Sequence, residues 1–130
     1  MSPEIFEHYK LGIKEMDESH WGIIHNLNTA EGVAIDRDLS SALIGKTVEI
    51  LTKDLQEEER LMTDAHYPFM LMHSAAHKKL VSDLTDIHNQ SITGFRYMSL
   101  RYTLGIWERS FLDHIDFYDM QWVEFSKRQK

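Results

Sequence analysis

The chain has 130 residues, 42% of them hydrophobic and 27% charged, with a formal net charge of −7, eight histidines and no cysteine. That length supports one domain, residues 1–130, with a core of its own. The negative balance argues against nucleic acid as a partner, and the missing cysteines exclude disulfides, iron–sulfur clusters and thiolate zinc sites. No apolar run approaches the ~20 residues that a membrane span needs, and the opening MSPEIFEHYK is too polar for a signal peptide. A soluble, cytoplasmic protein with no membrane partner is the expectation.

Two prolines and six glycines punctuate the chain, mostly between long segments of 3.6-residue periodicity. Residues 1–16 form an N-terminal arm. A first helix is predicted from about Asp17 to Glu31, with His20, Ile23, Ile24 and Leu27 on one face and Gly32 ending it. A second is predicted from an N-cap at Asp38 to about His66. Its inward face is Leu43, Ile44, Thr47, Val48, Leu51, Leu55, Leu61 and Met62, and Tyr67-Pro68 ends it, because a residue before proline is pushed out of helical geometry. A third covers about Phe69 to His88, with Met70, His73, His77, Leu80, Val81 and Leu84 on one stripe, and NQSITG (89–94) is the turn after it. A fourth runs from about Phe95 to Phe125. No segment alternates at period two, so no strand is predicted. Four amphipathic helices joined by short connections imply an all-α, antiparallel up-down four-helix bundle.

Each predicted helix carries metal-ligand residue types on its inward stripe. His73 and His77, in HSAAH, are one turn apart, so both imidazoles point the same way. Two core histidines bonded to backbone or water explain that pair equally well in isolation. Asp54 and Glu58 are also four apart and continue the stripe of Leu51, Leu55, Leu61 and Met62. Within EEER (57–60), Glu57 and Glu59 read as solvated charges, but Glu58 points inward. A buried carboxylate with no partner costs several kcal/mol or takes up a proton, so it demands a cation or a donor. In HIDFYD, His114 and Asp119 are five apart, ~140° of α-helical rotation, and reach one site only from the edges of a stripe. His20, alone on its helix, is the type of residue that is more often structural. The set is more telling than any member.

Nitrogen and carboxylate donors without sulfur suit iron, manganese or zinc. Seven candidates exceed one tetrahedral zinc, and two carboxylates able to bridge point to a dinuclear centre. The chain has no Glu-x-x-His pair of the ferritin-like scheme, and HSAAH lacks the glutamate of the HExxH zinc peptidases. His8, His25, His66 and His88 read as solvent-facing or structural, with His66 able to support the site from outside.

The ordered motifs MDESH, EEERLM, YP, HSAAH and HIDFYD, over residues 4–122, resemble the hemerythrin family, in particular its single-domain prokaryotic members. The resemblance implies two non-haem iron ions, oxo- and carboxylate-bridged, that bind dioxygen reversibly or take another small ligand. It assigns His73, His77 and His114 to one iron, Glu58 and Asp119 to the bridge, and His20 to the second iron with a histidine from the second helix. That histidine is Asp54 here, the main departure from the family pattern. The same resemblance places Ile23, Leu55, Ser110, Phe111, Ile115 and Phe117 around the ligand pocket. Ser110 stands where the family often has tryptophan, and Trp107 lies on a different angle. Three functions follow as expectations: an oxygen-binding protein for carriage, storage or sensing, without turnover; a di-iron oxidase or peroxidase with a wetter site; or a degenerate-site bundle acting as a signalling module. A sensor would need a protein partner.

Overall fold

A computed structural model describes residues 1–94 and 96–129 and the backbone of Tyr97 within them. Among the described residues the chain is all-helical, with no strand. Short α1 (Pro3–Phe6) and a 3-10 turn (Glu7–Tyr9) precede four long segments: α2 (Lys14–Gly32), α3 (Arg37–Asp64), α4 (Met70–Thr93) and α5 (Tyr97–His114). A π-helical turn (Ile115–Asp119) then leads directly into α6 (Met120–Arg128). The predicted start of the last helix at Phe95 lies outside the described residues. No described helix is long and apolar enough to cross a membrane.

The ends of the helices follow local chemistry. α2 begins three residues earlier than its periodicity suggested, because the Asp17 carboxylate accepts from the backbone N–H of Leu11 (2.8 Å) and Gly12 (3.1 Å) and folds the arm onto the helix start. Gly12 turns there with φ 84°, a conformation glycine adopts without steric cost. The cap of α3 is Asp36 and not Asp38: its Oδ1 accepts from Leu39 N–H at 3.1 Å. α3 stops at Asp64, before Tyr67-Pro68 can act. His66 takes φ 54°, and Tyr67 N–H reaches Met62 O (3.0 Å) while His66 N–H reaches Thr63 O (3.1 Å). That is a Schellman cap with histidine in the place usually held by glycine. It leaves His66 exposed, so it does not support the site. α4 continues through the predicted turn at 89–94, since only Gly94, with φ 139°, breaks the pattern.

α2 packs on α3, α3 on α4, α4 on α5, and α5 back on α2, around one core. The buried stripe includes Ile23, Ile24 and Leu27 of α2, Ile44, Leu51 and Met62 of α3, Leu80 and Leu84 of α4, and Leu100 and Leu104 of α5. Leu61 is an exception; it is 44% exposed, at the rim of its stripe. At Gly45 of α3 the His88 ring of α4 sits so close that a Cβ would stand 2.7 Å from Nε2. His88 thus sits within α4 against its neighbour and not at a connection. Trp107 is buried, donating from Nε1 to Leu80 O at 2.9 Å and stacking on Phe111. It ties α5 to α4 beneath the histidine cluster.

Candidate metal centre

Four segments contribute to one buried polar cluster. α2 brings His20, α3 brings Asp54 and Glu58, α4 brings His73 and His77, and the π turn joins His114 to Asp119. One ligand atom each from Glu58, His73, His77, His114 and Asp119 lies within 4.8 Å of all the others, and all five residues are buried. His73 Nε2 is 2.7 Å from Glu58 Oε1 and 2.9 Å from Asp119 Oδ1. His77 Nε2 lies 3.2 Å from the same Glu58 oxygen, His114 Nε2 3.0 Å from Asp119 Oδ1, and His20 Nε2 3.4 Å from Asp119 Oδ2. This group could hold a metal ion.

The π turn explains how His114 and Asp119 meet. On an α-helix, five residues leave two side chains ~140° apart. A π turn bonds residue i to i+5, and here Met120 N–H reaches Ile115 O. Widening the turn by one residue brings positions five apart into line. It also carries Phe117, three-fifths of the way round, to the outside, where it is 57% exposed.

Short distances within the cluster do not make a satisfied hydrogen-bond network. Buried with no hydrogen-bond partner are His20 Nδ1, Asp54 Oδ2, Glu58 Oε1, His73 Nδ1, His77 Nε2, His114 Nε2 and Asp119 Oδ2. His77 Nε2 stands 3.2 Å from Glu58 Oε1, yet neither atom has a hydrogen-bond partner. Imidazole and carboxylate atoms that converge without pairing could take a cation between them. Buried polar groups left unpaired are otherwise rare and costly.

Charge is balanced in the cluster by protons. Burial works to lower the His73 pKa, but contact with Asp119 and Glu58 outweighs it and raises it to about 9. Burial likewise works to raise Asp119, but His114 and His73 hold its carboxyl well below the usual range. A cation would take over the role of those protons.

Asp54 stands apart from the compact five. It is half-buried, and burial raises its carboxyl, with the neighbouring Ser19 hydroxyl and His20 working the other way. It lines a cavity of about 430 Å³ together with His20 and Glu58. Ile23, Leu55 and Phe111 line the same cavity, and the His20 ring meets Phe111 edge-on at 5.5 Å. Ile115 is fully buried but does not line it. Ser110 and Phe117 are not there either: both open on a separate outer groove between α4 and α5. The exposed Ser110 hydroxyl turns back to Ile106 O at 3.3 Å.

Sequence reasoning missed Glu59. It is no solvated charge, for it accepts from Ser74 Oγ at 2.5 Å and from His77 Nδ1 at 3.2 Å. A carboxylate can only accept, so Nδ1 carries the proton and the lone pair of His77 Nε2 faces the cluster. Tyr118, stacked on His114 at 5.1 Å, and Tyr67, edge-on to His73 at 6.5 Å, were missed as well. No single-helix pattern reveals these, since each contact spans two elements or the π turn.

Comparison with protein-family models, with curated proteins and with solved structures gives no match.

Proposed function

We propose that this chain is a hemerythrin-like, non-haem di-iron protein that binds dioxygen inside an antiparallel up-down four-helix bundle. The observation that carries the reading is the convergence of buried Glu58, His73, His77, His114 and Asp119, with Glu58 Oε1, His77 Nε2, His114 Nε2 and Asp119 Oδ2 left without hydrogen-bond partners. The donor set, imidazole and carboxylate without sulfur, suits iron. His73, His77 and His114 would hold one ion, Glu58 and Asp119 would lie between the two, and His20 with Asp54 would hold the second.

Two iron ions held there would supply the electrons and the open coordination position that a small ligand such as dioxygen requires. Glu59 keeps the His77 lone pair directed inward. Ile23, Leu55 and Phe111 give the adjoining cavity an apolar wall that limits water. Trp107, stacked on Phe111 at 5.2 Å, holds that wall in place. The compartment is the cytoplasm, and a sensing role would add a protein partner.

Asp54 favours a second reading, a di-iron oxidase or peroxidase. An oxygen donor where the family has imidazole adds negative charge and favours the ferric state, and Asp54 lines the cavity beside the cluster. Loading the metal-free protein anaerobically with ferrous iron, counting bound iron and recording spectra before and after oxygen tests both. Two irons per chain and oxygen uptake that stops at one equivalent support the first reading. Sustained consumption of a reductant supports the second. A protein that retains no metal sinks both and leaves the signalling bundle.

A further inference from the structure

Three cavities touch the cluster. One is the 430 Å³ cavity beside His20, Asp54 and Glu58; the outer groove of about 640 Å³ reaches His114; a smaller one of about 290 Å³ reaches His77. They differ in charge. Four carboxylates line the first, those of Glu15, Asp54, Glu57 and Glu58, and no lysine or arginine does. The outer groove mixes Lys79 with Asp83 and Asp113, and the smallest has Lys78 against Glu59.

The first cavity runs from the surface to the centre. Glu15 and Glu57 are exposed, whereas Glu58 and His20 are more than nine-tenths buried, and each of these two holds an atom with no hydrogen-bond partner. Arg60 pairs with Glu57 at 2.5 Å and with Asp64 at 3.1 Å, which reduces but does not reverse the negative balance at the mouth. Where His114 faces the outer groove, Tyr118 stacks against its ring.

We propose that this cavity is the passage between solvent and the metal centre, and that its carboxylates sort what enters by charge. Divalent cations are drawn in and neutral diatomic molecules pass, while small anions are turned back. The proposal rests on reading the cluster as a metal centre. Low-dielectric walls lined by one sign of charge focus the field along a cleft and change the rates of charged ligands, by tenfold or more, with a steep dependence on salt.

The test uses two probes of opposite charge. Uptake of Co²⁺ by the metal-free protein and binding of azide to the iron-loaded protein are timed by stopped-flow absorbance, in the natural protein and in Glu15→Gln/Glu57→Gln. At low ionic strength the double variant should take up Co²⁺ about tenfold more slowly and bind azide about tenfold faster. Both differences should vanish near 1 M salt, where the Debye length is ~3 Å. A merely structural disturbance would move both rates the same way. The control, Asp83→Asn/Asp113→Asn, removes the carboxylates of the outer groove and should change neither rate. The proposal is overturned if the first variant leaves both rates unchanged or shifts them together, or if the control variant gives the opposed shifts instead. Absence of bound Co²⁺ at equilibrium would overturn the metal-centre reading itself, and this proposal with it.

Discussion

The two ends of the core treat buried polar groups in opposite ways. Away from the cluster the buried serine and threonine hydroxyls among the described residues are all paired. Ser40 Oγ donates to Ala30 O at 3.0 Å, Ser41 and Ser91 share a 2.9 Å bond, Ser91 also reaches His88 O at 2.6 Å, and Thr47 donates to Leu43 O at 2.7 Å. At the histidine end, seven buried atoms lack partners. One chain under one set of folding constraints pairs its buried hydroxyls where they serve packing and leaves histidine and carboxylate atoms open where they converge. The contrast shows that the open atoms are not loose packing: the same helices solve the same problem a few turns away.

The largest test of that contrast is His73→Ala. In the metal-free protein, His73 lies between Glu58 and Asp119, so its loss removes the one imidazole that both buried carboxylates share at under 3 Å. We expect a destabilisation of about 3–5 kcal/mol, the cost of breaking a buried ion pair from one side, and loss of metal retention. Urea unfolding and metal analysis measure the two. A loss below about 1 kcal/mol with metal retained would mean the cluster is an ordinary part of the core.

Acidity should separate the ends next. His73 is raised from 6.5 to about 9, so it binds a proton more tightly folded than unfolded. Its contribution to stability is complete below pH 6.5 and is lost as pH rises through 9. Asp119 is depressed, so its contribution is present above its ordinary range and is lost only in strong acid. The metal-free protein should therefore weaken from pH 6.5 to 9. Metal binding must displace the His73 proton, so affinity should rise by up to about tenfold per pH unit across that window, and the loaded protein should not share the alkaline weakening. Parallel melting curves for the two forms would contradict this.

The apolar end gives the milder counterpart. Ser41→Ala removes one neutral hydrogen bond while Ser91 keeps its bond to His88 O. About 1 kcal/mol should be lost, with metal affinity unchanged. A change in affinity would show that the two ends are coupled through α3 and α4.

Much of this arrangement can be read from single helices, and the remainder cannot for a definable reason. His20, Glu58, His73 and His77 are buried on the stripes that periodicity assigns them, because each is set by 3.6-residue spacing along one element. Asp119 looked out of register with His114 because the arithmetic assumed an α-helix. The π turn that aligns them has no marker in HIDFYD, and Phe117, which the family resemblance places at the pocket, is exposed beside it. Ser110 failed differently: its angle was near that of His114, but a short side chain bonded to its own helix never reaches the interior. Glu59 reads as a solvent-facing charge from its own helix because its partners, Ser74 and His77, belong to another. Asp38 lost the capping role to Asp36 by two residues, a boundary choice that periodicity does not resolve.

Glu31 gives the smallest and most discriminating test. Its Oε1 is the one buried, unpartnered side-chain atom among the described residues that lies outside the cluster. No histidine is among the groups that perturb it; burial, reinforced by the neighbouring Glu108 carboxylate, pushes its pKa up to about 7. If open atoms in this fold mark a cation site only where imidazoles and carboxylates converge, Glu31 must be relieved by a proton. The folded state then holds that proton between about pH 4.5 and 7 while the unfolded chain releases it, so stability falls as pH rises through that window. Glu31→Gln, which cannot ionise, should melt with the natural protein at pH 4 and above it at pH 8. The gain should be modest, since the side chain is only half-buried and water screens it. Metal content should not change. Equal melting temperatures at both pH values would show that Glu31 finds a partner in solution, and loss of metal in the variant would extend the centre to a residue that nothing in its geometry places there.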